Sequence, residues 1–97
     1  MKQYTHTFKK TVHWIARVCG TVATSIKDRK SDVYLTHNDD EPLEKAVDAR
    51  EILDLMMLAM TTYRNVSFQI DGPDEDEVIT RLKATFEEAE ELYGVVD

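Results

Sequence analysis

The sequence predicts an α+β fold. It is an open-faced βαββαβα sandwich, with a four-stranded antiparallel sheet carrying three helices on one face. Three observations predict it. Tyr4, His6 and Phe8 alternate with polar residues, as do Val33 and Leu35, and Val66, Phe68 and Ile70; this is the period of half-buried strands. Apolar residues recur at helical spacing through residues 16–27, 49–60 and 75–93. Charged or Gly-Pro turns separate these stretches at residues 27–31, 38–42 and 72–73.

Taken in order, the first strand is expected over residues 4–9, and residues 10–14 read as a connection. Ile15, Val18, Cys19, Val22 and Ile26 give an amphipathic helix over residues 16–27. Val33 and Leu35 mark the second strand. Asn38, Asp39, Asp40, Glu41 and Pro42 read as an acidic loop, and residues 45–47 as a short strand pairing back. Residues 49–60 are apolar nearly all round. Leu55 and Leu58 are expected to face the core, while Ile52, Leu53 and Met56 form a second stripe. Phe68 and Leu82 complete the expected core. The last helix opens with Asp74 and Glu77 in the spacing of a capping box, and its stripe runs through Val78, Ile79, Leu82, Phe86, Ala89 and Tyr93.

The length of 97 residues is that of one domain, expected to span 1–97. The lone Cys19 excludes an internal disulfide framework. No apolar run reaches signal-peptide or membrane-spanning length, so a cytoplasmic protein with no membrane association is expected. The net charge is −7 but unevenly spread. Residues 1–30 hold seven cations against Asp28 alone, a net of +6, which leaves −13 on the remainder. An acidic total argues against nucleic-acid binding, which replaces counterions with protein cations. The basic first third either meets an acidic partner or is a solvated face. His6, His37 and Cys19 lack the spacing of a metal site, and His6 reads as a satisfied, partly buried histidine. Neither a cofactor nor a metal is expected, and no nucleophile-base signature or phosphate-cradling Gly-rich loop is present.

Residues 47–78, VDAREILDLMMLAMTTYRNVSFQIDGPDEDEV, with HWIARVCG at residues 13–20, resemble HPr, the small phosphocarrier of the bacterial sugar phosphotransferase system. The resemblance covers nearly the whole chain, with an insertion of about five residues before Lys45. It implies the same βαββαβα sandwich and a protein that is not an enzyme. In the family, a histidine two residues before a helix arginine carries the phosphoryl group, in a GLHARPA-like motif. With Arg17 as that arginine, the acceptor position is Ile15, and the proline of the motif is Val18. The resemblance therefore implies the fold without the acceptor. The regulatory serine that opens the family's second helix corresponds to Glu51. Its carboxylate either imitates phosphoserine or only complements the helix end.

The resemblance also implies that exposed residues of the second helix dock partners. The matching surface here is Trp14, Ile15, Arg17, Glu51, Ile52, Leu53 and Met56. The expected function is protein binding, regulatory in sugar and phosphotransferase-system control. The partner would be a phosphotransferase or transcriptional-regulator component, or a second copy of the chain. The chain is similar to the catabolite-repression HPr paralogues in lacking the histidine, and differs from them in lacking the serine. A second reading keeps a working phosphocarrier, with His13 as acceptor and Arg17 as its cation. A third, a small effector-binding domain of ferredoxin-like order, would need a ligand cleft that the sequence does not show.

Overall fold

Alternation and helical periodicity become β1 (Lys2–His13), α1 (Ala16–Ile26), β2 (Asp32–Asn38), β3 (Glu41–Asp48), α2 (Ile52–Met56), β4 (Thr62–Asp71) and α3 (Glu75–Tyr93). The structure is a computed structural model and describes residues 1–13, 16–39, 41–56 and 62–95. The four strands form one antiparallel sheet in the order β1-β4-β2-β3. The three helices lie against one of its faces, an α+β sandwich as the sequence predicts.

Register puts the apolar positions of neighbouring strands side by side. Phe68 pairs with Tyr4 on one side and Leu35 on the other, Ile70 with Val33, and Val47 with Leu35. Val33, Leu35, Val66, Phe68 and Ile70 are fully buried beneath Val18, Val22 and Ile26 of α1 and Val78, Leu82 and Phe86 of α3. Phe86 is the centre of an aromatic cluster. Its ring lies 5.5 Å from Phe8, 5.6 Å from Phe68 and 5.0 Å from His6. His6 is buried, with its Nδ1 2.7 Å from the Tyr4 hydroxyl, and desolvation pushes its pKa below the usual histidine value. Leu55, Phe68 and Leu82 are core residues, as expected; Leu58 lies outside the described residues.

Three boundaries and one helix cap differ from the sequence expectation. First, β1 does not stop at Lys9 but runs on to His13. Its register against β4 shifts between Thr7 and Val12, so a bulge interrupts the ladder. The Glu90 carboxylate of α3 accepts the N–H groups of Lys9 and Lys10, the latter at 2.9 Å. A partner far away in sequence thus satisfies donors that the bulge takes out of the ladder.

Second, the acidic loop is mostly strand. β3 begins at Glu41 and Pro42 pairs opposite His37. Pro42 is tolerated because β3 is an edge strand. The hairpin tip is held by Asp39, which has a left-handed φ of 48°. Its N–H donates to the Asn65 carbonyl at 2.9 Å, and its Oδ1 accepts the Asn65 N–H at 3.1 Å.

Third, α2 starts at Ile52, not Ala49. The Ala49 N–H still donates to the Val33 carbonyl at 2.9 Å, and its methyl is buried. Sheet pairing therefore holds Ala49, and a turn at residues 49–50 separates β3 from the helix. Residues 57–60 of the expected helix lie outside the described residues.

Fourth, Asp74 makes no side-chain cap on α3. Its carboxylate instead accepts the N–H groups of Lys30 and Ser31, each at 2.9 Å, and the Ser31 hydroxyl. Glu77 turns away to pair with Arg29. The capping-box spacing was correct for the helix start but not for the bond. The α1–β2 turn, buried at Ser31, had three donors to satisfy, and Asp74 was the acceptor within reach. Gly72 is required by the same packing, since a Cβ there would lie 2.5 Å from the Ser31 Cα.

These bonds hold the Asp74 carboxyl below its usual pKa, the Ser31 hydroxyl first and the Lys30 N–H next. A depressed carboxylate stabilises the fold above its unfolded-state pKa of about 3.9, and that stabilisation is lost as pH falls through the lower native value. Asp74→Ala is therefore expected to lower the urea midpoint by a constant amount from neutral pH down to about 4, with the gap to wild type closing below that. A gap independent of pH down to acid unfolding would show that the charge of Asp74 is not what holds the turn.

Two of the seven cations of the first third, Lys2 and Arg29, are paired within the chain, as is the terminal amino group. Lys2 pairs with Asp76, Arg29 with Glu77, and the Met1 amino group with Glu75 at 2.9 Å. Among the described residues, no helix is long and apolar enough to cross a membrane.

Candidate functional site

The expected docking surface lies where α1 begins beside α2. α1 starts at Ala16, directly after Ile15 in the chain, and its first turn carries no acidic residue. Arg17 is exposed in that turn, and its carbonyl accepts the Thr21 hydroxyl at 2.8 Å. The next residues, Val18 and Cys19, turn inward and are fully buried. Burial raises the Cys19 thiol pKa, so this cysteine is a packing residue.

α2 is seated on α1 through Gly20. The Ile52 Cδ1 lies only 3.2 Å from where a Gly20 Cβ would be. Gly20 stands one turn after Arg17, so Ile52 and Arg17 share one neighbourhood. Nothing in the sequence pattern singled out Gly20. An isolated glycine in a helix is a weak signal, and its use here depends on which helix crosses it.

The five described residues of α2 divide sharply. Leu55 is fully buried. Ile52 is 41% exposed, Met56 38% and Leu53 73%. The second apolar stripe expected from the sequence therefore faces outward, most fully at Leu53, with Ile52 and Met56 partly engaged.

Glu51 is exposed and precedes α2. Its N–H donates to the Asp48 carbonyl, and its own carbonyl accepts the Leu55 N–H, both at 3.1 Å. It therefore occupies the position that opens the helix, and its carboxylate sits at the positive end of the helix dipole. Beside it, Arg50 is an anchor that the sequence did not flag. Its Nη2 is 3.0 Å from the Asp32 carboxylate, and its Nε is 3.4 Å from that of Asp48.

Trp14 and Ile15 lie outside the described residues. The backbone of His13 is the last rung of β1, opposite Thr62. His37 has its Nδ1 2.9 Å from the Thr36 hydroxyl, on β2, which β4 separates from His13's strand. Among the described residues no group of three or more His, Cys, Asp or Glu could hold a metal ion.

Comparison with known proteins accords with this geometry. A family model described as the PTS HPr component phosphorylation site matches residues 2–88. The chain is similar in structure to HPr-C-His from Thermoanaerobacter tengcongensis, with a TM-score of 0.73 and 25% identity over 92% of this chain and 94% of that one. The Bacillus subtilis catabolite-repression protein Crh matches at a TM-score of 0.62 and 29% identity, over 92% of this chain and 97% of that one; it is described as a swapped-domain dimer. The histidine-containing phosphocarrier of Mycoplasma shares the fold, at a TM-score of 0.73 and 24% identity over 91% and 96% of the two chains. None of the curated proteins matches the chain. HPr proteins are phosphocarriers, not enzymes, and they interact with other proteins of the phosphotransferase system. With the family model matched over residues 2–88 and the sheet order and helices in place, this chain belongs to the HPr family.

Proposed function

We propose that this protein is an HPr homologue that binds protein partners without carrying phosphate. The observation that carries the reading is the outward apolar stripe of α2. Leu53 and parts of Ile52 and Met56 face solvent on the five described residues of α2, of which Leu55 alone is fully buried, and Ile52 meets α1 at Gly20, one turn from the exposed Arg17. Exposed Leu and Met next to an arginine suit an adaptable docking surface, because the guanidinium fork bonds carboxylates while its stem stays apolar. Loss of phosphate carriage rests on Ile15, an aliphatic residue in the acceptor position before α1. The partner is a component of the phosphotransferase system or a regulator coupled to it, and the surface implied by the resemblance also takes in Trp14, Ile15 and Glu51.

The test is capture of partners from the source cell with the wild-type chain, followed by affinity measurement on the captured protein. Leu53→Asp should leave stability within about 0.5 kcal/mol, as for an exposed position. It should weaken binding by more than about 1 kcal/mol, as should Arg17→Glu. Unchanged affinity in both variants would remove α2 and Arg17 from the interface.

A further inference from the structure

The docking surface is only as well defined as the start of α2. The first turn of a helix does not form on its own, because nucleation costs more than its few hydrogen bonds return. Of the five described residues of α2, Leu55 alone is fully buried, and Ile52 adds a contact with Gly20. The residue before the helix opening is held far more tightly. The Arg50 N–H donates to Asp48 Oδ1 at 2.9 Å, and its Nε reaches the same oxygen at 3.4 Å. Its Nη2 donates to Asp32 Oδ1 at 3.0 Å and its Nη1 to the Ser31 carbonyl at 3.4 Å. Asp48 ends β3, Asp32 begins β2, and Ser31 belongs to the turn held by Asp74. One guanidinium therefore spans two strand ends and the α1–β2 turn, a single residue before Glu51 starts the helix.

We infer that Arg50 is a positioning residue for the docking surface, fixing where α2 leaves the sheet and so where Leu53 and Met56 stand. The functional meaning of that placement rests on the docking role proposed above. The planar fork is needed because its acceptors lie in different directions. A lysine ammonium on a flexible stem would keep the charge but not the simultaneous contacts. Ion pairs this near the surface add little to global stability, so the effect of Arg50 should be local.

Amide hydrogen exchange on the isolated chain tests this. The reporter is the Leu55 N–H, which donates to the Glu51 carbonyl across the helix opening. The reference is the set of amides in β4, which pairs with β1 on one side and β2 on the other. Arg50→Ala should accelerate exchange at Leu55 by about tenfold or more, with β4 protection nearly unchanged, and should shift the methyl resonances of Leu53 and Met56. Arg50→Lys should give a smaller acceleration in the same place, and decides the question if the alanine variant does not fold. Unchanged exchange at Leu55, or loss of protection at Leu55 and β4 in step, would overturn the inference. The measurement involves no partner. Its failure would leave the docking reading intact, and failure of the capture experiment would leave the role of Arg50 intact.

Discussion

Phe86→Ala is expected to destabilise the protein by about 3–5 kcal/mol, the largest effect of any single substitution considered. The ring is fully buried and faces three others. It meets Phe8 edge-on at an interplanar angle of 82° and stacks on Phe68 at 27°. Such pairs add about 0.5–1.5 kcal/mol each beyond burial of area. These contacts join α3 to both β1 and β4, so there is little room for collapse into the cavity left by truncation. Chemical denaturation followed by circular dichroism measures the loss. A change below about 1 kcal/mol would mean that α3 does not pack on the sheet as described. A second reading comes from the same variant. Water entering the cavity should relieve the desolvation of His6, so its titration, followed by proton NMR, should move up toward the ordinary histidine value.

The second large effect is a reaction that should not happen. Incubated with phosphoenolpyruvate and the first enzyme of the phosphotransferase system, the protein should show no phosphate-sized mass increase. Intact mass must be read at neutral or alkaline pH, where a phosphohistidine would survive. Ile15 has no lone pair to offer a phosphoryl group. His13 precedes that position by two residues, a displacement of several ångströms at about 3.3 Å per extended residue. Its backbone is moreover committed to the ladder opposite Thr62, on the strand side of the junction with α1. In-line transfer does not tolerate such misplacement. A stoichiometric increase abolished by His13→Ala would replace this reading with that of a phosphocarrier using His13 and Arg17.

Glu51 illustrates how a site residue is legible in sequence without its role being so. Its place at the helix opening followed from the resemblance, and the structure puts its backbone there. Whether its carboxylate imitates a phosphoserine depends on what reads it, and a charge at a helix end is stabilising with no reader at all. Ile52 shows the reverse case. It was assigned to the outward stripe on periodicity, and it does reach the surface, but its Cδ1 also fills the space over Gly20. A residue at the edge of two stripes is divided by the angle of the neighbouring helix, which periodicity does not encode.

By itself the sequence determined the fold class, the order of elements, the inward faces of β2, β4, α1 and α3, and the apolar surplus of α2. All of these rest on local patterns of period two or 3.6, and burial of one face enforces them wherever the chain is regular. Only the tertiary structure decided how far β1 and β3 extend, that β2 retains Ala49, that Asp74 holds the Ser31 turn rather than capping its own helix, and that Arg50 ties the start of α2 to two strands. Each of those outcomes settles a backbone donor or a charged group on a partner distant in sequence. Hydrogen-bonding groups must be satisfied, but the chain offers many acceptors, and only the folded geometry selects which one lies within about 3 Å.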